Sequence, residues 1–249
     1  MRESLRDSLW LWGTKVNVLS EHYRLPPSTM TIRAGLDALG IDRAMMSGHL
    51  PPTEGEYGRV AHCRSLLWEM SFDEGFSFER PLAPIVRLHR RHRNVLGVLL
   101  DDFSTTEINR GAKPELLGRL RAAMPDPMQL WIVVYSMSLG IPDLDRYLEY
   151  VDGVSFWIWE PENLPNMRSY VARCHELSGH KPMVVGLYFY DFSKDRPLTK
   201  DRMAAQTETA ANLVATGECH GICFLSSSVM DVGLESVEWT KRWIRRLGT

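Results

Sequence analysis

The sequence is short of most features that reveal a function at sight. Cysteine is scarce, with four among 249 residues, and none sits at the spacing of a metal or redox motif. Cys219 and Cys223 are four apart on a run that reads as strand. At ~3.3 Å per residue that is ~13 Å, beyond the ~7 Å over which two Cα atoms can be bridged. Cys63 and Cys174 read as small buried hydrophobes. Charge of one sign is lacking as well. The 29 Lys+Arg and 31 Asp+Glu leave a formal net charge of -2, without the basic excess of a nucleic-acid footprint. No apolar run reaches the ~18–20 residues that span a bilayer, so no membrane partner is expected. No signal peptide is visible, because Met1-Arg2-Glu3-Ser4 runs almost at once into Leu9-Trp10-Leu11-Trp12. A cytoplasmic protein is expected, or a secreted one whose signal has been removed. There is no low-complexity linker and no charge shift between halves, which predicts a single domain over residues 1–249.

What is present is an ordinary globular composition, 44% hydrophobic and 24% charged, with enough length for one large core. Eight short runs rich in Val, Ile, Trp, Tyr and Phe read as strands: 9–13, 44–47, 66–72, 95–103, 130–137, 154–159, 183–190 and 222–226. Helical patterns fill the gaps at 31–39, 81–92, 114–124, 144–151, 167–177, 201–216 and 234–247, with a weaker one at 54–63. Punctuation agrees with this reading. Thr199 can cap a helix that Gly217 ends, Asn166 and Ser178-Gly179 stand at a start and a stop, and Pro114 and Pro142 suit first-turn positions. The repeat is about thirty residues, the size of one strand-helix unit. Eight such units predict an α/β fold, a single closed (β/α)8 TIM barrel. An open doubly wound sheet would normally carry a Gly-rich phosphate loop after its first strand, and none is present.

In such a barrel the chemistry gathers where strands end, and alternation decides which side chains point inward. On the sixth strand Val154, Phe156 and Ile158 form an apolar face toward the helices, so Ser155, Trp157 and Trp159 face the axis. The fourth strand aligns on its Gly97-Val98 pair, which turns Asp101 inward and puts Asp102 at the start of the loop. On the third, Trp68, Met70 and Phe72 point outward while Glu69, Ser71 and Asp73 point inward. The fifth contributes Trp131 and Tyr135, and the seventh Gly186, Tyr188 and Tyr190, with Asp191 just past its end. The expected mouth holds Glu69, Asp73, Asp101, Asp102, Glu160 and Asp191, ringed by Trp12, Tyr135, Trp157, Trp159, Tyr188 and Tyr190. Aromatic faces stack on the C–H faces of sugar rings. Paired carboxyl groups, one protonated and one ionised, are what glycoside hydrolysis needs.

The strand ends Leu-Leu-Asp-Asp-Phe, Trp-Ile-Trp-Glu and Tyr-Phe-Tyr-Asp resemble those of the glycoside-hydrolase TIM barrels. The resemblance covers the chain as architecture and matches no family signature. The chitinase-like branch carries acids at alternate positions of strand four ending in Glu, whereas Asp101-Asp102 here runs into Phe103-Ser104. The large clan with Asn-Glu on strand four and Glu on strand seven is not matched either. The resemblance implies a glycosidase acting on a carbohydrate, and the inward placement from the strand alignment puts Asp101 in the catalytic pair, with Glu69 or Glu160 as its partner. Trp12, Asp102, Tyr135, Trp157, Trp159, Tyr188, Tyr190 and Asp191 would bind substrate, and no cofactor or metal is required.

Plainer roles stand beside each assignment. Glu69 could pair with Lys15 or an arginine, Asp102 could cap its loop, and Glu160 before Pro161 could shape a turn. A sugar-binding barrel without catalysis would keep the aromatics. A metal-dependent sugar isomerase or lyase would need several histidines at strand ends, and only His49 is so placed. Lys15 is the one lysine positioned for Schiff-base chemistry. A serine elbow of the Gly-x-Ser-x-Gly type is missing, and no Gly-rich anion cradle follows the last two strands.

Overall fold

The computed structural model describes residues 4–47 and 50–247. Eight strands form the barrel: β1 (Leu9–Gly13), β2 (Arg43–Met46), β3 (Ser65–Glu69), β4 (Val95–Leu100), β5 (Gln129–Tyr135), β6 (Gly153–Trp157), β7 (Met183–Tyr188) and β8 (Gly221–Leu225). All neighbours are parallel, and β8 pairs with β1 in the register Leu9↔Ile222 to Trp12↔Leu225, which closes the barrel. Eight helices alternate with them: α1 (Ile32–Leu39), α2 (Glu54–Val60), α3 (Glu79–Arg91), α4 (Pro114–Ala123), α5 (Leu144–Leu148), α6 (Met167–Ser178), α7 (Lys200–Thr216) and α8 (Glu235–Arg246). The (β/α)8 barrel expected from the sequence is therefore present. Among the described residues no helix is long and apolar enough to cross a membrane.

The local signals behave as their chemistry requires. Thr31, Thr53 and Thr199 each accept a backbone N–H of the first turn they cap, and Gly40, Gly179 and Gly217 end helices in the left-handed region. Pro114 opens α4, where its missing N–H is not needed. Pro142 instead lies before Asp143, the N-cap of α5, in the turn and not in the helix. Asn166 precedes α6 without a side-chain cap bond. Each helix buries one stripe, such as Val237, Thr240 and Ile244 of α8, against the outward faces of the strands. Phe189 and Phe224 stack at 5.6 Å in that layer. All four cysteines are free and buried. Burial pushes the thiols of Cys63, Cys174 and Cys219 up to about 12, so they behave as apolar filler.

Several strands stop earlier than their apolar runs. β3 ends at Glu69, so alternation does not carry to Ser71 and Asp73; Asp73 turns to Arg80, whose Nε lies 2.9 Å from its carboxylate. β4 ends at Leu100, and Phe103 is buried in the turn that follows. β7 ends at Tyr188, and Tyr190–Asp191 pair antiparallel with Arg196–Pro197 in a small ribbon above the barrel. After β4 and β7, apolar character outlasts the ladder because the segments that follow bury Phe103, Phe189, Tyr190 and Phe192.

Inside the barrel, bulk on one strand is matched by its absence on the next. The Trp131 ring occupies the space that a Cβ at Gly153 would need, and the Trp157 ring that of a Cβ at Gly186, with its nearest atom 2.0 Å away. Across the axis, the Ser155 hydroxyl on β6 lies 3.8 Å from the Met45 sulfur on β2. Gly186→Ala should displace the Trp157 indole and cost ~1–3 kcal/mol, the usual penalty for overpacking. Chemical denaturation read by tryptophan fluorescence tests this. An unchanged midpoint would show that Trp157 is not held by the gap at Gly186.

Candidate active site

The C-terminal ends of the strands surround a cavity of ≈ 550 Å³. Strand ends supply its floor: Trp12 of β1, Ser47 after β2, Asp101 after β4, Tyr135 of β5, Trp157 of β6, Tyr188 of β7 and Leu225 of β8. Loops supply its walls. Thr14, Val18, Leu19 and Tyr23 come from the loop after β1, Asp102 and Thr105 from that after β4, and Met137 from that after β5. Trp159 and Glu160 follow β6, and Phe192 follows β7. The loop after β1 is fixed by two acids from elsewhere. Asp231 accepts from the Ser28 hydroxyl at 2.6 Å and the Thr29 N–H at 2.8 Å, and Asp195 accepts from the Arg24 N–H at 2.8 Å.

The aromatic side chains form one packed set. Trp12 and Trp157 meet edge to face at 5.3 Å, and Trp157 touches Tyr188 at 5.0 Å. Tyr188 meets Trp159 at 5.7 Å, and Trp159 lies over Phe192 at 6.4 Å. Such contacts lock ring orientation, because edge-on rings cannot rotate without collision. The Trp157 N–H donates to Ser155 at 2.8 Å, so its polar edge is satisfied inside the barrel and its apolar surface is left to the cavity.

Asp101 sits on this floor. One of its oxygens accepts the Asp102 N–H at 2.9 Å. Burial, with the charges of Asp102 and Glu69 added to it, lifts its carboxyl well above the usual carboxylate range. Its hydrogen bonds, from the Asp102 N–H and with Ser47, act in the opposite sense and are outweighed. The Ser47 hydroxyl donates to Glu69 at 2.5 Å and also contacts Asp101. Asp102 stands at a left-handed φ of 51° and accepts the Tyr135 hydroxyl at 2.7 Å. Burial first, and then the nearby acids, keep Tyr135 and Tyr188 from ionising, so both remain hydrogen-bond donors.

The structure thus brings together Asp101, Asp102, Glu160, Trp12, Tyr135, Trp157, Trp159 and Tyr188. Glu69 stands behind Ser47, where with Leu50, Pro51 and Ser71 it lines a separate cavity of ≈ 300 Å³. Tyr190 and Asp191 are not on the cavity wall. Tyr190 is 1% exposed and donates to Asp195 at 3.0 Å. Asp191 is buried, binds Arg196 at 2.9 Å and accepts from Ser193 at 2.7 Å, which closes the loop that carries Phe192 into the cavity. Lys15 is exposed and off the wall. His49 lies outside the described residues, among which no group of three or more His, Cys, Asp or Glu converges as a metal shell. The sequence reading passed over Ser47, although it closes the second apolar run and alternates with the inward Met45. Thr14, Val18, Leu19, Tyr23, Thr105, Met137 and Phe192 carried no period, being loop residues. The hydroxyls of Ser226 and Ser228 turn to Thr14, at 3.3 and 2.8 Å, and join the ends of β8 and β1.

Neither a protein-family model nor a curated protein matches the sequence. Among solved structures, a glucosidase from Croceicoccus marinus superposes with a TM-score of 0.63 at 11% identity, over 100% of this chain and 68% of that one. A Bacteroides thetaiotaomicron protein assigned as an alpha-L-fucosidase gives 0.62 at 11% identity, over 99% and 98%. A family 18 chitinase from Cycas revoluta, solved with allosamidin, gives 0.57 at 10% identity, over 97% and 99%. Likeness at these identities concerns architecture: the chain has the closed barrel on which those glycosidases are built.

Proposed function

We propose that the protein is a glycoside hydrolase that takes a carbohydrate into the mouth of the barrel and uses Asp101 as its general acid. The observation that carries this reading is a carboxyl group on the floor of an aromatic cavity, where burial and the charges of Asp102 and Glu69 raise its proton affinity. Asp101 gives its proton to the glycosidic oxygen as the bond from that oxygen to the anomeric carbon breaks. Glu160, on the same cavity wall, supplies the carboxylate that meets the positive charge at the anomeric carbon, and a water then adds to that carbon and returns a proton to Asp101. Glu69 acts on Asp101 from behind Ser47, raising its proton affinity. Trp159 and Tyr188 offer faces to sugar rings. Of the described residues, the two exposed large hydrophobics, Val16 and Met137, both lie on loops at this mouth, where a longer glycan would cover them.

On a glycoside that the wild type cleaves, Asp101→Asn should lower kcat/KM roughly 10²-fold or more, the scale of one general acid–base group. Near-normal turnover in that variant would overturn the assignment. Trp159→Ala should weaken saccharide binding several-fold, by ~1 kcal/mol if the ring stacks as buried aromatic pairs do. A wild type that binds glycans but cleaves none would instead be a sugar-binding barrel.

The proton on Asp101 should also leave a trace in stability. The folded carboxyl holds its proton to higher pH than the unfolded one, whose ordinary value is ~3.9. As pH rises from there toward the folded value, the unfolded chain binds fewer protons and folding stability falls. Asp101→Asn removes that loss. The variant's Tm should exceed that of the wild type at mildly alkaline pH, with the gap closing below pH ~4. A gap independent of pH would show that Asp101 does not carry the proton.

A further inference from the structure

The composition of the cavity wall points beyond carbohydrate in general to a class of sugar. We infer that the cavity selects a cationic carbohydrate, an amino sugar with a free ammonium group, over neutral and acidic sugars; this rests on the carbohydrate reading given above. Three acids reach the wall, Asp101, Asp102 and Glu160, and among the described residues no lysine, arginine or histidine does. Several cations of the surrounding loops are held elsewhere, and Lys15 is exposed and off the wall. Arg24 bridges to Asp195, while Lys194, Arg196 and Arg202 gather on Glu162, which is not on the wall.

An acidic sugar entering this space would lose water around its carboxylate and meet only like charge. A neutral sugar would gain stacking and hydrogen bonds. An ammonium group gains two further terms. Its charge is attracted by the carboxylates, at short range and with little intervening water. Aromatic rings line the same wall, Trp12, Trp157, Trp159 and Tyr188, and a ring face within reach of the ammonium group adds a further attraction. The proton on Asp101 fits the same scheme. It spares the empty cavity one negative charge, and an arriving ammonium group lowers the cost of releasing it.

Tryptophan fluorescence titration of the wild-type protein at mildly acidic pH, where the amine is charged, reads this preference. The probes are β-1,4-glucosamine tetramer, its fully N-acetylated form, cellotetraose and tetragalacturonate. The glucosamine tetramer should bind roughly ten-fold or more tighter than either neutral tetramer, and tetragalacturonate should not bind. The margin should shrink at high salt and in Glu160→Gln, whose side chain keeps its shape without the charge. A neutral or acidic tetramer that binds as tightly as the cationic one overturns the inference and leaves the carbohydrate reading standing. So does a margin that Glu160→Gln and salt leave unchanged, because the ammonium group would then bind outside the cavity. A protein that binds none of the four, nor any member of a wide glycan panel, defeats the carbohydrate reading itself.

Discussion

The backbone pairing of β8 with β1 is the constraint on which the rest of the molecule depends. Four residues of β1 pair with four of β8, and through them a sheet that would otherwise expose two edges becomes a ring. A ring leaves each strand one face toward the axis and one toward the helices. Inward side chains at most strand ends are thereby brought to the same small space, whatever their polarity. That is why Trp12, Asp101, Tyr135, Trp157 and Tyr188, drawn from five strands far apart in the chain, share one cavity. The same closure brings Thr14 to Ser226 and Ser228, so the seam is held by hydroxyls as well as by the ladder.

Within the ring, volume is traded between neighbouring strands. Gly153 admits Trp131 and Gly186 admits Trp157, so two indoles fit where two ordinary side chains would collide. The packing that holds Trp157 orients the aromatic set above it through Tyr188 and Trp159. The apolar surroundings that these rings create are also what make ionisation of Asp101 costly. Core packing and site electrostatics are therefore one arrangement: remove bulk from the floor, water enters, and the carboxyl returns toward its ordinary value. Such a site lowers the stability of the fold at neutral pH, since the protein holds an acid where an apolar side chain would sit more comfortably.

The mouth loops follow a different logic from the strands. They are fixed by acids: Asp195 and Asp231, remote in sequence, on the loop after β1, and Asp191 within the loop after β7. Asp191 shows how such a residue can be mistaken for a binding group. It is an acid just beyond a strand end, as Asp101 is, but its carboxylate accepts from Ser193 and pairs with Arg196, and it shapes the wall without joining it.

The (β/α)8 barrel, the caps at Thr199 and Gly217, the burial of Cys63 and Cys174 and the inward placement of Asp101, Trp157 and Tyr188 were all legible in the sequence. Each rests on a short-range period or a local backbone preference, which the chain carries in every segment. Tertiary structure alone decided which acids share the cavity. Glu69 and Asp101 both end inward on adjacent strands, yet Ser47 stands between them and Glu69 opens onto a different space. Tyr190 follows Tyr188 in the same alternation, yet the ladder stops at Tyr188 and the next residues turn into a ribbon. The raised proton affinity of Asp101, the lack of cations on the wall among the described residues and the arrival of Tyr23 and Phe192 depend on residues from several loops at once. Periodicity says which way a side chain points while a strand lasts. It does not say where the strand stops, or what the loops will set against it.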